Sequence, residues 1–242
     1  MAQYGRLTGG KLFAIGTGPG SSDLLTVRAA RCLATLDILY APAASRGGDS
    51  LALSIVREYL PEQLVIKERH FPMTHNQQEK EAAWDAVSQE IEVDVESGKQ
   101  VGFISLGDAM LFSTWVSLLE RLQNRVDIEI IPGVTSFACI AAQSQFPLAM
   151  EQQSLAIVSC TAAMEEVEQA LLSHDSLVLM KVARYFPQVK QLLIKHHLIQ
   201  HTVLISDVSL PTELISRDIS QLDDAKRYSY FTTILVNKNW QA

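Results

Sequence analysis

Cysteine is scarce and scattered. The three present, Cys32, Cys139 and Cys160, match no metal-ligand spacing and are odd in number. That excludes a disulfide framework or a cysteine-held metal as the organising feature, and a reducing intracellular compartment is the expectation. No uncharged apolar run approaches the roughly 18 residues that cross a bilayer. The opening MAQYGRLTGG lacks the apolar centre of a secretory signal, so a cytoplasmic protein without membrane attachment is expected. Blocks of like charge are missing too: 20 Lys and Arg stand against 27 Asp and Glu, for a net charge of -7. This balance argues against a nucleic-acid surface, while leaving room for a local basic pocket that holds an acidic ligand. Repeats and low-complexity tracts are absent. With 48% hydrophobic and 19% charged residues, the chain is rich enough in apolar side chains to bury a sizeable core and too rich in them for disorder.

What is present is alternation. Short apolar runs follow longer segments of helical period, the pattern of an α/β fold. KLFAIG, DILYAP, QVGFISLG and VDIEIIPG read as strands. Between and after them, DLLTVRAARCLATL, SLALSIVREYL, NQQEKEAAWDAVSQEIEVDVESG, STWVSLLERLQ and VTSFACIAAQSQF read as helices. Ser22 or Asp23 is expected to cap the first helix, since either side chain can accept from the free amides of the opening turn. After PLAME the texture becomes richer in strands, with SLAIVS, DSLVLMKV, HTVLISDV and YFTTILVN against two helices, AAMEEVEQALLS and YFPQVKQLLIKHHL. A domain boundary is therefore expected near 147–153, giving an N-terminal α/β domain over 1–148 and a more strand-rich α/β domain over 149–242.

The stretch GTGPGSSDLL places Gly16, Gly18 and Gly20 at alternate positions between the first strand and the first helix. A phosphate loop of the GxxxxGK[ST] type needs Gly and Lys where Ser21 and Ser22 stand. A dinucleotide loop needs a third glycine where Ser21 stands, and an acid at the end of the second strand, where the chain offers Tyr40, Ala41 and Pro42 instead. Both readings fail. Two later strand ends share the pattern: SLGDAMLFSTW puts Gly107 and Asp108 after a buried strand, and IIPGVTSF repeats strand, glycine and Thr-Ser. Three such ends on one parallel sheet converge on the crevice where these sheets bind ligands, and a large amphipathic small molecule suits it.

In order and spacing these segments resemble the S-adenosylmethionine-dependent tetrapyrrole methylases of corrin biosynthesis. GTGPGSSDLLTVRAARCL, GDAMLFSTW and IPGVTSFACIAAQSQFPLA carry the likeness over nearly the whole chain. HFPMT (70–74) and MKV (180–182) bring it nearest to the branch that methylates C20 of precorrin-2 or cobalt-factor II. Another ring position, another acceptor, or a binding module without turnover are the alternatives. The family commonly has Gly-Asp-Pro where this chain has Gly107-Asp108-Ala109. The change frees the backbone and removes no functional group.

The resemblance implies two α/β domains with the active site in the cleft between them, a homodimer, a tetrapyrrole substrate and S-adenosylmethionine as cofactor. It implies cofactor contacts from Gly107, Asp108, Met110, Leu111, Phe112, Ser113 and Thr114, from Thr135 and Ser136, from Lys181 and Val182, and from Phe231 and Thr232. Pro19 and Gly20 of the glycine loop, and His70, would border the substrate. Methyl transfer from a neutral leaving group to an electron-rich carbon asks mostly for alignment. Asp108, Tyr230 and His70 are candidates to assist loss of the C20 proton. A polycarboxylate substrate calls for cations, and Arg46, Lys67, Arg69, Lys181 and Arg184 lie near expected strand ends. His196 and His197 have no second ligand pair beside them, so no protein metal site is expected.

Overall fold

The computed structural model describes residues 9–43, 50–72, 74 and 76–242. They fall into two compact units, which divide between Thr135 and Ser136.

The first unit is a five-stranded sheet in the order β3-β2-β4-β1-β5. Its strands are β1 (Lys11–Gly16), β2 (Ile38–Ala43), β3 (Val65–His70), β4 (Gln100–Ser105) and β5 (Ile128–Ile131). Every neighbouring pair is parallel. Parallel strands need crossovers, and the helices α1 (Val27–Leu33), α2 (Leu51–Val56), α3 (Gln77–Glu96) and α4 (Trp115–Leu122) supply them. The apolar run of β1 serves both faces. Leu12 and Ala14 pack with Val87, Ile91 and Val95 of α3 and Trp115, Leu118 and Leu122 of α4. Phe13 and Ile15 pack with Ala29, Cys32 and Leu33 of α1 and Ala52, Leu53 and Val56 of α2. A strand buried on both sides reads as continuous hydrophobicity, which is why β1 and β4 stand out in the sequence.

Helix α1 starts later than expected. Ser22–Leu24 form a 3-10 turn, and the cap is Thr26, whose side chain accepts from the Ala29 amide. Ser22 and Asp23 are spent on that earlier turn. Strand β3, which no apolar pattern announces, is an edge strand whose Val65 and Ile66 are exposed. It is held by its ladder to β2 and by ion pairs to α3.

The second unit is a mixed sheet in the order β6-β7-β10-β8-β9. Its strands are β6 (Leu155–Ser159), β7 (Ser176–Met180), β8 (Thr202–Ser206), β9 (Leu214–Ser216) and β10 (Thr232–Asn237). β6 and β7 are parallel, and the remaining pairs are antiparallel. α6 (Met164–Ser173) and α7 (Phe186–Lys195) cover one face, with Val167, Leu171, Val189 and Leu193 against Leu177, Leu204 and Ile234. α5 (Ser136–Ser144) belongs with the other face: Ile140 and Phe146 pack on Val178, Val203, Ile205 and Leu235. The division at 135/136 therefore falls one helix before the break expected at 148/149, because VTSFACIAAQSQF directs its apolar side to the second sheet.

Cys32 and Cys160 are buried, and burial pushes both thiols up to about 12. At that value they are inert packing groups. Cys139 is half-buried. Among the described residues no helix is long and apolar enough to cross a membrane, and no group of His, Cys, Asp and Glu is arranged to hold a metal ion.

Candidate functional site

At the carboxyl edge of the first sheet the loops after β1, β4 and β5 are tied into one knot. Gly18 and Gly107 form an isolated antiparallel bridge, with the Gly107 amide donating to the Gly18 carbonyl at 2.8 Å and the Gly18 amide donating to the Gly107 carbonyl at 3.1 Å. The Thr17 amide donates to the Ser105 carbonyl at 2.9 Å. Asp108 then staples the third loop. Its Oδ2 accepts from the Gly133 amide at 2.9 Å and its Oδ1 from the Met110 amide at 2.9 Å. Glycine is required here on two counts. Gly107 has φ +69, in the left-handed region. A Cβ on Gly133 would lie 2.1 Å from the Gly107 carbonyl oxygen.

The knot displays the residues after it. Met110 and Phe112 are exposed large apolar side chains, and Phe112 is held at φ 48. Leu111 is half-buried. Ser113 turns inward, donating to Ser105 Oγ at 2.9 Å and accepting from the Trp115 amide at 3.1 Å, so it opens α4. Thr114 precedes that helix and is half-buried. Ala109, where the family's proline is missing, is fully buried with Phe71, Phe103 and Trp115. Packing thus restrains the backbone that the lost ring would have restrained.

The other expected residues of this unit divide. Pro19 and Gly20 are buried rather than presented at the surface. Arg46 lies outside the described residues. Arg69 sits at the carboxyl end of β3, but its guanidinium is committed within the unit: Nε and Nη2 donate to Glu90 at 2.8 and 2.5 Å, and Nη1 donates to the Glu68 carbonyl at 2.9 Å. Lys67 is likewise taken up by Asp94, Glu90 and the Tyr40 hydroxyl, at 2.6, 3.1 and 3.1 Å. These two cations fasten the poorly buried edge strand to α3. His70, the last residue of β3, has a buried Nδ1 with no hydrogen-bond partner among the described residues.

The Arg69 hydrogen bond, joined by the Lys67 ammonium, holds the Glu90 carboxyl below its ordinary 4.5 against the opposing effect of burial. A depressed acid contributes stability that is full above its unfolded value and is lost as pH falls through the folded one. Wild type is accordingly expected to melt above Glu90→Gln near neutrality, with the gap closing below about pH 4.5. Melting temperatures of both proteins from pH 7 to pH 3 check this; a gap of constant size would remove the ion pair from the account.

In the second unit the ends of β7 and β10 meet. The Val182 amide donates to the Thr232 carbonyl at 3.4 Å, Val182 is fully buried, and Lys181 is held at φ 57. Thr232 Oγ1 donates to the Ser229 carbonyl at 2.6 Å and lies 2.7 Å from Ser206 Oγ. Phe231 and Tyr230 project from this base, 39% and 55% exposed and edge to face at 5.4 Å. The Tyr230 hydroxyl has no hydrogen-bond partner among the described residues. Arg184, in the turn after β7, is exposed and forms no ion pair among them. Ser136 opens α5 directly after Thr135, and both are half-buried.

Beneath this base the Ser229 hydroxyl donates to Asp207 Oδ1, a pairing between elements that no spacing in the sequence announces.

The chain belongs to the tetrapyrrole (corrin/porphyrin) methylases, whose family model matches residues 11–223. It is 56% identical to the cobalt-precorrin-2 C(20)-methyltransferase of Salmonella typhimurium, over 96% of this chain and 98% of that one. Among solved structures it is similar to a cobalt precorrin-4 methyltransferase, with a TM-score of 0.72 at 21% identity, covering 94% of each chain. It is also similar to the uroporphyrin-III C-methyltransferase of Thermus thermophilus complexed with S-adenosyl homocysteine, with a TM-score of 0.63 at 20% identity, covering 94% of this chain and 97% of that one. The two-sheet α/β fold is that of this family.

Proposed function

We propose that this protein transfers a methyl group from S-adenosylmethionine to C20 of precorrin-2 or its cobalt-loaded form, in the synthesis of the corrin ring. The observation that carries the reading is the 56% identity to the Salmonella C(20)-methyltransferase along nearly the full length of both chains. The cobalt form is favoured by the same relative. The test is to incubate the protein with labelled S-adenosylmethionine and each acceptor and to locate the new methyl by NMR. A methyl at any carbon other than C20, or none with either acceptor, would defeat the proposal.

A nucleoside sulfonium asks for apolar surface beside backbone polar groups, and within the first unit the exposed Met110 and Phe112, next to the turn at Gly107, support the reading. When bound, the cofactor supplies an electrophilic methyl with a neutral leaving group. The chain's own work is then alignment, for which well-oriented systems gain on the order of 7 to 11 kcal/mol. Gly107, Asp108, Met110, Leu111, Phe112, Ser113, Thr114, Thr135, Ser136, Lys181, Val182, Phe231 and Thr232 are the proposed cofactor residues. Asp108 acts by fixing the loop, since both its carboxylate oxygens already accept backbone amides. Tyr230, with its unpartnered hydroxyl, is the group proposed to pass on the C20 proton, with His70 as the second candidate. Homodimerisation in the cytoplasm is part of the same proposal, on the family resemblance; analytical ultracentrifugation measures the dimer.

With Lys67 and Arg69 committed to α3, Arg184 is the proposed cation for a substrate carboxylate in the second unit. Arg184→Gln is expected to raise the substrate KM several-fold and to flatten its dependence on salt between about 0.05 and 0.3 M, because partly exposed pairs are screened over about 10 Å. Cofactor affinity should barely move. A KM and salt slope equal to wild type would move carboxylate recognition to other residues.

A further inference from the structure

Tyr230 and Phe231 are exposed and lie edge to face, and two such rings are free to reorient unless the backbone beneath them is fixed. Two side chains hold that turn, Thr232 through the Ser229 carbonyl and Asp207 through the Ser229 hydroxyl. Asp207 Oδ1 accepts from the Ser229 hydroxyl and Oδ2 accepts from Thr212 Oγ1 at 2.9 Å. The Asp207 amide donates to the Phe231 carbonyl at 3.2 Å. Ser229 Oγ, held by the carboxylate, accepts in turn from the Phe231 amide at 3.2 Å. A chain of hydrogen bonds thus runs from the Phe231 amide through the Ser229 hydroxyl to the carboxylate, and links of this kind polarise and strengthen one another. Asp207 makes these contacts in the left-handed region, at φ 52. Asp and Asn are the non-glycine residues that accept this conformation most readily.

We propose that Asp207 is a positioning residue for the methyl donor: through Ser229 it sets the turn from Ser229 to Thr232, and so holds the Phe231 ring where it packs on the flat adenine of the nucleoside sulfonium. The inference rests on the reading of Phe231 and Thr232 as cofactor residues. Asp207 itself touches neither ligand.

Three substitutions separate its side chain from its backbone. Asp207→Gly removes the hydrogen bonds while relieving any left-handed strain. Asp207→Ala removes the hydrogen bonds and keeps the strain. Asp207→Asn keeps an acceptor for Ser229 and tolerates the left-handed backbone. S-adenosylhomocysteine affinity, by calorimetry on the intact chain, is expected to fall about tenfold in both Asp207→Gly and Asp207→Ala, the scale of one charge-assisted hydrogen bond. Asp207→Asn should recover most of it. Hydrogen exchange at the Phe231 amide, measured without ligand, should speed up in the Gly and Ala variants and remain slow in Asn. If Asp207→Gly binds like wild type while Phe231→Ala binds weakly, Asp207 does not position the ring and the proposal is overturned. If Phe231→Ala also binds like wild type, the cofactor reading has failed instead. The exchange rate of the Phe231 amide then decides by itself whether Asp207 orders the turn, and an unchanged rate overturns that too.

Discussion

Asp108→Ala is expected to lower kcat/KM by about 100-fold, the cost of a displacement on the order of 1 Å in an aligned reaction, while the protein remains folded. The reasoning starts from the two amides the carboxylate holds. Without it the Gly133 and Met110 N–H groups lose their acceptor, which costs about 1 kcal/mol each where water can replace it and more where water cannot. Neither cost approaches the stability of a domain. What is lost is the tie between the loops after β4 and β5, and with it the placement of Met110 and Phe112. Asp108→Asn separates positioning from proton transfer. Its amide oxygen can still accept from one backbone N–H, but its NH₂ faces the other donor. An intermediate loss in Asn, with the pH profile of kcat unchanged, is the result expected of a staple. A general base would leave Asn as inactive as Ala. Steady-state kinetics over pH for both variants, beside their melting temperatures, check the point.

How legible was this in the sequence? The strands buried on both faces were, because a run such as KLFAIG has few other homes. The strand ends carrying glycine were too, since left-handed backbone and close backbone approach are local demands that leave local marks, as at Gly107 and Gly133. Strand β3 was not, because VIKERH exposes its valine and isoleucine and spends its charges on α3. The start of α1 was misplaced because Ser22, Asp23 and Thr26 are all competent caps, and only the 3-10 turn decides among them. The expected break and the division between the units differ by α5, because its apolar side does not say which sheet it will meet. The Arg69–Glu90 pair is not legible in the sequence, because the partners lie in different elements and no spacing in the chain predicts a tertiary ion pair. Asp207 and Ser229 escaped for the same reason. Local conformational needs were thus readable, whereas side-chain pairings between elements were not.

Gly133→Ala is expected to produce the largest loss of all, in stability and activity together. The added Cβ would lie 2.1 Å from the Gly107 carbonyl oxygen and 2.7 Å from the Gly16 carbonyl carbon. Both are backbone atoms and cannot rotate aside as a flexible side chain would. Relief therefore requires the loop after β5 to move away from those after β1 and β4. That motion pulls the Gly133 amide off Asp108 Oδ2 and crowds the Gly107 carbonyl that accepts from Gly18. Overpacking alone costs about 1 to 3 kcal/mol, and the lost hydrogen bonds add about 1 kcal/mol each. A domain of this size is stable by only about 5 to 15 kcal/mol. A drop of several degrees in melting temperature is expected, with methyl transfer reduced below that of Asp108→Ala because the whole knot is displaced and not one staple of it. Gly98→Ala is the control. Its Cβ would meet nothing within 4 Å, but φ +85 makes it a strained site for any side chain, so it should lose about 1 kcal/mol and keep its turnover. If Gly133→Ala melts with Gly98→Ala and retains wild-type kcat, close packing of the three loops is not what holds the carboxyl edge of the first sheet.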